Sequence, residues 1–544
     1  MATSFLLLLC GILFFSLTSF AHRPNIMLGP STTIKQACEA TRYPEPCQWS
    51  VNNALNGSRE EPSDIVQAAF SVSADNLQAG RKMVQAIVRA STKSKSRTKV
   101  AETCLKGLSI SEYLTTSASY AVAKGKLRDA RAWGSAALTY QHDCSYNLNN
   151  YSNIDIVQNT MKFFDTTFTV TTSNALSLLQ AFDVVGPNVA SWTPPRTERD
   201  GFWDHYHAYN SKTFDPMYDF ARFKADLTVC KNVSQGCLST VQAAVEAAPN
   251  NLRGERRHII KIKEGVYNET VRVHYNKTNL VFLGDGIGKT VITGSLNTGI
   301  VGITTYESAT VGVLGRGFMA SGITFQNTAG SEMHPAVAFR SSSDFSFIEN
   351  CEFIGNQNTL YAHSLRQFYK SCHIEGNVDF IFGNAAAVFQ NCTILVRPRQ
   401  VNPDKGESNA ISAHGRTDPV QTTGFVFLDS LINGTLDYLK LYQSNSSIHK
   451  NYLGRPWKMY SRTVYINCTM EKIISPEGWT PFDKDFAIST LFYGEFNNSG
   501  AGAGAGAGNV SRRVLWSTKI PEEYVPLYYV DKFLEGDDWT GYDF

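Results

Sequence analysis

The sequence predicts two domains with different folds, an all-α four-helix bundle followed by a parallel β-helix. From about residue 32 to residue 185 the sequence predicts helices, and after Pro62 apolar residues recur every three or four positions, which is typical of amphipathic helices. Beyond about residue 223, a short strand-like segment containing cysteine recurs at intervals near 20 residues, which is typical of a solenoid. At 544 residues, the chain is also too long for one ordinary hydrophobic core.

The first 21 residues have the pattern of a secretory signal peptide. An apolar stretch at 5–15 precedes the small residues Ser19 and Ala21, which suit a cleavage site. An uncleaved signal anchor is the alternative, although the apolar stretch is short for a membrane span. We therefore predict a secreted, extracellular protein that has no membrane association after cleavage.

The composition is that of a folded protein, with 43% hydrophobic and 18% charged residues. A net charge of +2 and the lack of any Lys/Arg run argue against a nucleic-acid partner. Removing Cys10 with the signal leaves ten of the eleven cysteines, an even number that suits disulfides in an oxidising compartment. There is no Cys-X-X-Cys pair, so we predict neither a zinc site nor any other metal or cofactor. Sequons are abundant and fit a glycoprotein; seven of them are Asn56, Asn150, Asn232, Asn268, Asn276, Asn433 and Asn445.

The helical domain is predicted to span residues 22–185. Its first long helix follows Pro62, with Ser63 as a plausible N-cap and Ile65 on the apolar face. Four helices with short connections indicate a bundle. The further helical patterns cover residues 109–124, 127–144 and 154–182.

A linker is predicted at residues 186–222, because Gly-Pro at 186–187 and Pro-Pro at 194–195 interrupt the helical pattern. The second domain then covers residues 223–544. Its repeat is carried by four similar segments, the first three of which are spaced 21 and 20 residues apart. A leucine-rich consensus is absent, so a parallel β-helix fits better. Stacked coils would bring the repeated cysteines together, either as core residues or as a bridge. These cysteines are Cys351, Cys372, Cys392 and Cys468.

One carboxylate of the second domain stands in an unusual setting. Asp379 lies among bulky apolar residues in the segment 378–384, where a lone Asp is costly to bury unless it is paired or functional. About 75 residues later, Arg455 and Trp457 place a cation beside an aromatic ring. Together, these side chains could bind an acidic sugar and attack it, although an apolar-embedded Asp is about as often structural.

The second half of the chain resembles the plant pectin methylesterases, from about residue 223 to 516. The resemblance implies a right-handed parallel β-helix with a shallow aromatic cleft. It also implies hydrolysis of galacturonate methyl esters in cell-wall pectin, with methylesterified homogalacturonan as the substrate and methanol as a product. The matching stretches are GVYNE at 265–269, GITFQNTAG at 322–330, RQFY at 366–369, VDFIFGN at 378–384 and LGRPW at 453–457.

The first half resembles the pectin methylesterase inhibitor domain. Its cysteines form a close pair, Cys38 and Cys47, and a distant pair, Cys104 and Cys144. The stretches AWGSAALT at 132–139 and TSNAL at 172–176 are also similar to that family. The resemblance implies a proenzyme-type chain of the plant cell wall, with an autoinhibitory N-terminal domain that contacts an esterase domain within or between chains. No Arg-Arg-Leu-Leu processing motif is present.

The resemblance assigns roles to individual residues. Asp379 matches the family's nucleophile and Arg455 the residue that keeps it ionised and oriented. Gln357 matches a donor to the oxyanion. Trp457 and Thr304 match residues that contact the substrate. Family members also carry a disulfide at the positions of Cys372 and Cys392, so we predict that bridge here.

Two positions depart from the family pattern. Asn358 replaces the Asp that exchanges protons, and an amide cannot do this at ordinary pH. Pro335 replaces a second oxyanion-stabilising Gln and has no side-chain donor. Three hypotheses therefore stand at this point: a working methylesterase, a weakened or inactive pectin-binding homologue, and an inhibitor-type binding protein.

Overall fold

The computed structural model describes residues 29–204, 220–232, 236–254, 256–399, 405–503 and 512–534. The predicted signal peptide, residues 1–21, lies outside these ranges, as does part of the predicted linker. None of the helices in the described ranges is long and apolar enough to cross a membrane.

The N-terminal domain is helical, as predicted, but the count of four helices is wrong, because the described part contains seven α-helices. The sequence patterns missed two short N-terminal helices, which the Cys38–Cys47 disulfide joins, and the first half of a long helix whose opening residues are polar. The Cys104–Cys144 disulfide ties that long helix to the next one. The helices are α1 Thr32–Glu39, α2 Pro44–Leu55, α3 Pro62–Ala90, α4 Lys95–Ala123, α5 Leu127–Leu148, α6 Asp155–Phe163 and α7 Thr169–Val185.

The C-terminal domain is a parallel β-helix, in which three sheets, here called A, B and C, run along the stacked coils. All pairs of neighbouring strands are parallel, as expected when each coil stacks on the last. A third disulfide, Cys230–Cys237, lies near its first strand, and a core of buried apolar side chains fills the coil interior.

The strands are numbered β1 to β26 in chain order. Sheet A contains β1 Leu227–Val229, β2 His258–Ile262, β5 Leu280–Leu283, β8 Met319–Ser321, β11 Ser346–Glu349, β14 Arg366–Lys370, β17 Ala386–Gln390, β20 Gly424–Leu428, β23 Arg462–Ile466, β25 Phe492–Phe496 and β26 Thr518–Lys519. Sheet B contains β3 Gly265–Asn268, β6 Thr290–Gly294, β9 Thr324–Asn327, β12 Glu352–Ile354, β15 His373–Gly376, β18 Thr393–Val396, β21 Leu431–Gly434 and β24 Thr469–Met470. Sheet C contains β4 Val271–Val273, β7 Val311–Val313, β10 Phe339–Ser341, β13 Leu360–Ala362, β16 Val378–Gly383, β19 Glu407–His414 and β22 His449–Gly454. Three helices accompany them: α8 Val241–Ala247, α9 Leu436–Ser444 and α10 Val530–Phe533.

The sequence repeat corresponds to the corner between sheets A and B. At this corner one residue per coil adopts a positive φ, which Asn and Asp tolerate better than most residues. The next residue points into the core, and in four coils it is one of the repeated cysteines. The corner residues are Asn350, Ser371, Asn391, Asp429 and Asn467, with φ between 49° and 55°.

The predicted disulfide between Cys372 and Cys392 is not formed, because both residues are buried free cysteines in the structure. They occupy the same level of adjacent coils, since His373 pairs with Thr393. Equivalent positions of neighbouring strands lie about 4.8 Å apart, whereas the Cβ atoms of a disulfide are typically about 3.8 Å apart. Burial raises the pKa of the Cys372 thiol well above its ordinary value.

The described part of the predicted linker before residue 205 packs against both domains. Trp203 is buried and stacks on Tyr524 of the β-helix domain at a centroid distance of 4.3 Å. The Glu198 carboxylate accepts a hydrogen bond from Arg462 at 2.7 Å in a buried ion pair. The described part of the segment therefore helps to hold the helical domain on the β-helix.

Candidate active site

The residues that the sequence analysis singled out lie on neighbouring coils along one edge of sheet C. Pro335 precedes β10, Gln357 and Asn358 precede β13, Asp379 lies at the start of β16, and Arg455 follows β22. All five line one cavity of about 220 Å³ between the two domains. The stacking of coils thus brings together side chains that are up to 120 residues apart in sequence.

Asp379 occupies a β-bulge. Val378 pairs with Ala410 and Ile381 with Ser412, so β16 contains one residue more than β19 over this interval. The backbone of Asp379 has a φ of 49°, in the left-handed region that few non-glycine residues adopt. Bulges and strained residues cluster at functional sites, where they direct a side chain that a regular strand would place differently.

The carboxylate of Asp379 is held by a bidentate ion pair. Arg455 donates from Nε to Oδ1 and from a terminal nitrogen to Oδ2, both at 2.8 Å. Burial alone lowers the pKa of Arg455, but the hydrogen bonds and charge of Asp379 outweigh it and raise that pKa above its ordinary value. The guanidinium also lies 4.6 Å from the ring centroid of Phe482. This geometry fixes the orientation of the carboxylate.

The two altered positions lie beside this pair. Asn358 is nearly buried and also has a positive φ, of 66°. Its Nδ2 donates to the backbone carbonyl of Asp379 at 3.4 Å, so an amide occupies the place of the family's proton-exchanging carboxylate. Gln357 is half-buried and lines the cavity, whereas Pro335 lines it without a polar side chain.

An aromatic wall borders the cavity, as the resemblance implies. The ring of Trp457 lies 6.0 Å from that of Phe382, which stacks on Tyr361 at 4.1 Å. Gly415 permits this placement, because a Cβ there would lie 2.8 Å from the indole of Trp457. Such a wall can contact the apolar faces of sugar rings.

Thr304 does not lie in the cavity. Its Oγ1 accepts a hydrogen bond from the backbone N–H of Glu307 at 3.3 Å, so the side chain caps a turn. Its neighbours Thr305 and Tyr306 line the cavity instead. The role of Thr304 as a substrate contact therefore stays a prediction from the resemblance.

The helical domain closes the cavity, and its residues there were missed by the sequence analysis. Tyr146 of α5 meets the ring of Trp457 edge-on at 6.1 Å. Asp143 of α5 forms a hydrogen bond of 2.7 Å with Nε2 of His363, a fully buried residue that follows β13. Burial lowers the pKa of His363, although the charge of Asp143 opposes this effect. The spacing of α5 showed that it was amphipathic, but it did not show which protein surface its polar residues would meet.

Further polar contacts extend this interface. Arg366 forms ion pairs with Asp344 of its own domain and with Asp129 of α5, at 2.8 and 2.7 Å. Trp133 of α5 donates from its indole nitrogen to Asp344 at 2.9 Å. Asp418, in the loop after β19, accepts hydrogen bonds from Arg42 and Ser173 at 3.0 and 2.7 Å. Within the described ranges, no group of three or more His, Cys, Asp or Glu side chains could hold a metal ion.

Comparisons with known proteins agree with this arrangement. The family model "Pectinesterase" matches residues 226–537, and "Plant invertase/pectin methylesterase inhibitor" matches residues 32–178. A parallel β-helix with an Asp–Arg pair in an aromatic cavity is thus the esterase domain of a two-domain protein. The chain belongs to the pectinesterase family.

Two curated relatives match this chain along most of its length, and a solved structure matches its C-terminal part. It is 50% identical over 514 residues to the probable pectinesterase/pectinesterase inhibitor 64 of Arabidopsis thaliana, covering 93% of this chain and 84% of the relative. It is 36% identical over 530 residues to pectinesterase 1 of Citrus sinensis, covering 93% and 87%. Among solved structures, the pectin methylesterase from carrot is 43% identical with a TM-score of 0.53, over 58% of this chain and 95% of that one. The family recognised in the sequence is confirmed.

Proposed function

We propose that the chain is a pectin methylesterase that hydrolyses the methyl esters of galacturonate in cell-wall pectin and releases methanol. The observation that carries this proposal is the bidentate Asp379–Arg455 pair at a bulge that faces the closed aromatic cavity. The carboxylate is oriented for attack, and the cavity wall suits a sugar ring. The test is methanol release from methylesterified homogalacturonan.

Asp379 acts as the nucleophile in this mechanism. A carboxylate oxygen attacks the ester carbonyl carbon, and the carbonyl electrons move onto the oxygen, to which the Gln357 amide donates a hydrogen bond. The tetrahedral intermediate then collapses, the bond to the methoxy oxygen breaks, and that oxygen leaves as methanol after gaining a proton. Water hydrolyses the resulting anhydride and restores Asp379. Since Asn358 cannot supply the proton, it has to come from water in this chain.

Trp457 is expected to contribute to substrate binding through its contact with a sugar ring. We expect Trp457→Ala to raise KM for homogalacturonan about tenfold with a smaller change in kcat, as for loss of an aromatic anchor worth about 1.4 kcal/mol. The measurement is methanol release by the C-terminal domain alone, which corresponds to the part that the carrot structure covers. Phe486→Ala, on an exposed ring outside the cavity, is the matched control. An unchanged KM for Trp457→Ala would show that the substrate lies elsewhere.

We further propose that the helical domain inhibits the esterase within the same chain. Residues of α4 and α5 line the cavity of about 220 Å³ together with Asp379 and Arg455, so these helices stand in the way of a polymer that approaches the pair. The contacts of Asp143 with His363 and of Asp129 with Arg366 hold this closed arrangement. We also propose that the β-helix is right-handed. In the same proposal, the substrate reaches Asp379 from the side of the β-helix that α5 covers.

Weakening these contacts is expected to increase activity. We expect Asp129→Ala combined with Asp143→Ala to raise methanol release by the full chain at least about tenfold, since charge-assisted hydrogen bonds contribute about 1.5–3 kcal/mol each. Both residues belong to the helical domain and leave the esterase residues unaltered. The matched control is Asp64→Ala combined with Asp155→Ala, which removes two first-turn carboxylates of α3 and α6. Equal release by the double variant and the parent chain would contradict inhibition by docking.

The remaining expectations concern location. We propose that the signal at residues 1–21 directs the chain to the cell wall, where homogalacturonan is its partner. Five of the seven sequon asparagines named above are exposed, namely Asn56, Asn150, Asn232, Asn268 and Asn445, which is compatible with glycosylation. N-terminal sequencing of the secreted protein tests the cleavage site after Ala21.

A further inference from the structure

A second, larger cavity lies between the two domains, away from the active site. Its volume is about 670 Å³, within the range of small-molecule binding sites. On the β-helix it is bordered by the turns that lead from sheet C to sheet A, whereas Asp379, Gln357 and Asn358 lie near the beginnings of sheet C strands. On the other side it is closed by α4 and α5, through residues such as Tyr113 and Trp133. We call this cavity the arginine cleft, after Arg253, Arg257 and Arg316 in its lining.

The arginine cleft is separate from the catalytic cavity. An apolar cluster lies between the two and ties the helical domain to the β-helix. Leu114 and Leu365 of this cluster face the arginine cleft, whereas Tyr140 faces the catalytic cavity. A ligand in one cavity therefore does not occupy the other. The buried members of the cluster are Leu114, Ala136, Ala137, Tyr140 and Leu365.

The charge of the cleft favours an anion. The acidic residue in its described lining is Asp344, which is buried and already bonded to Arg366 and Trp133. Arg253 and Arg316 are exposed. The pKa of Asp344 is lowered despite its burial, chiefly by Arg366 and to a smaller extent by the charge of Arg316. Arg316 lies over the ring of Phe345 at 4.6 Å. Two exposed guanidinium groups thus border the cleft, and their planar donor geometry matches that of carboxylates.

Aromatic rings at the mouth of the cleft favour a sugar. Tyr113 of α4 and Tyr275, in the turn after β4, face each other across the domain boundary with ring centroids 6.2 Å apart. They expose 61% and 62% of their surface, so both rings are accessible to a ligand. Guanidinium groups beside exposed aromatic faces are the chemistry that recognises an acidic sugar.

We propose that the arginine cleft binds demethylated oligogalacturonate, the polyanionic product of the reaction, and so retains the helical domain over the active site. The identity of the ligand rests on the proposed esterase function, because that reaction produces free carboxylates around the protein. Both domains form the walls of the cleft, so the complete site exists only in the closed arrangement. A ligand that binds the closed arrangement better than the open one shifts the chain toward it. The product then slows its own formation.

The test uses trigalacturonate and the full chain, with binding measured by calorimetry. We expect Arg253→Gln combined with Arg316→Gln to weaken binding at least about tenfold, as for loss of one charge-assisted hydrogen bond. Arg59→Gln combined with Arg89→Gln removes the same charge from α3 and the loop before it, and should leave affinity unchanged. Equal affinities of the two double variants would overturn the proposal.

Three further binding measurements identify where trigalacturonate binds. Tyr113→Ala, in the helical domain, should weaken binding, whereas Trp457→Ala should not; the opposite result would place trigalacturonate in the catalytic cavity. The trimethyl ester of trigalacturonate, which is neutral, should bind at least about tenfold more weakly than the acid. Asn276→Gln should retain binding, because loss there would assign it to a glycan near Tyr275.

Methanol release by the C-terminal domain alone separates this inference from the proposed function. Release by that domain, with no binding of trigalacturonate to the full chain, would remove the cleft proposal and leave the esterase intact. Binding of trigalacturonate that depends on Arg253 and Arg316, without any methanol release by the C-terminal domain, would remove the esterase proposal and leave the cleft as an anion site. Where both hold, added trigalacturonate should slow methanol release by the full chain and leave the Arg253→Gln, Arg316→Gln variant unaffected.

Discussion

Asp379→Asn is expected to lower the rate of methanol release by on the order of 10⁴-fold or more, as for loss of a catalytic nucleophile. The substitution preserves the size of the side chain but replaces the attacking oxygen with an amide, which is a poor nucleophile. It also removes one of the two hydrogen bonds from Arg455. The measurement is methanol release from methylesterified homogalacturonan by the C-terminal domain, together with thermal unfolding to show that the fold persists.

Arg455→Lys distinguishes the contribution of Asp379 as nucleophile from the contribution of its fixed orientation. The lysine keeps a positive charge but cannot form the planar bidentate pair. We expect an intermediate loss of rate, smaller than that of Asp379→Asn, because the nucleophile remains. If Asp379→Asn retained more than about 1% of the parent rate, a loss far below that expected for a nucleophile, another group would have to attack the ester.

The architecture of the second domain was predictable because each coil repeats the same local requirement. A corner with positive φ selects Asn, Asp or Ser, and the following core position selects a small buried residue such as Cys351 or Cys392. These constraints recur near every 20 residues and are visible in one sequence. Pairing of the cysteines was not predictable, because stacking brings them together without fixing the bond geometry.

The helices were predicted less completely. The periodicity of α3 and α5 extends over several turns, whereas α1 and α2 have only 8 and 12 residues, and a disulfide joins them. Short helices receive much of their stability from tertiary contacts that periodicity does not record. The packing of Trp203 and Glu198 in the predicted linker was hidden for the same reason.

The esterase half of the site followed from the sequence, but the inhibitory half did not. Asp379 was recognisable because a carboxylate in an apolar strand needs a partner, and the family resemblance assigned that partner to Arg455, 76 residues later. By contrast, Asp143 is an ordinary polar residue of an amphipathic helix until docking places it 2.7 Å from His363. Thr304 was assigned by position alone; its side chain caps a turn, and its neighbours Thr305 and Tyr306 line the cavity.

Asn358→Asp is expected to raise turnover of the C-terminal domain by at least about a hundredfold, the lower bound for gain of a general acid. Attack by Asp379 generates an oxyanion that must expel methoxide, a very poor leaving group unless it is protonated. Asn358 lies next to Asp379 but has no exchangeable acidic proton at ordinary pH. Aspartate has nearly the same size and also tolerates the positive φ of this position, so the backbone need not change.

Comparing Pro335→Gln with Asn358→Asp shows which of the two altered positions limits turnover more. A restored oxyanion donor would be worth about 10²–10³ in rate where nothing else stabilises the charge. Gln357 already lines the cavity as one donor, however, so part of that function is present. The other carboxylate in the described lining of the cavity, Asp143, belongs to the helical domain and is absent from the C-terminal domain alone. We therefore expect Asn358→Asp to increase turnover more than Pro335→Gln does. Parent turnover equal to that of a relative with both residues would mean that another group protonates methoxide, and the role of position 358 would have to be reassigned.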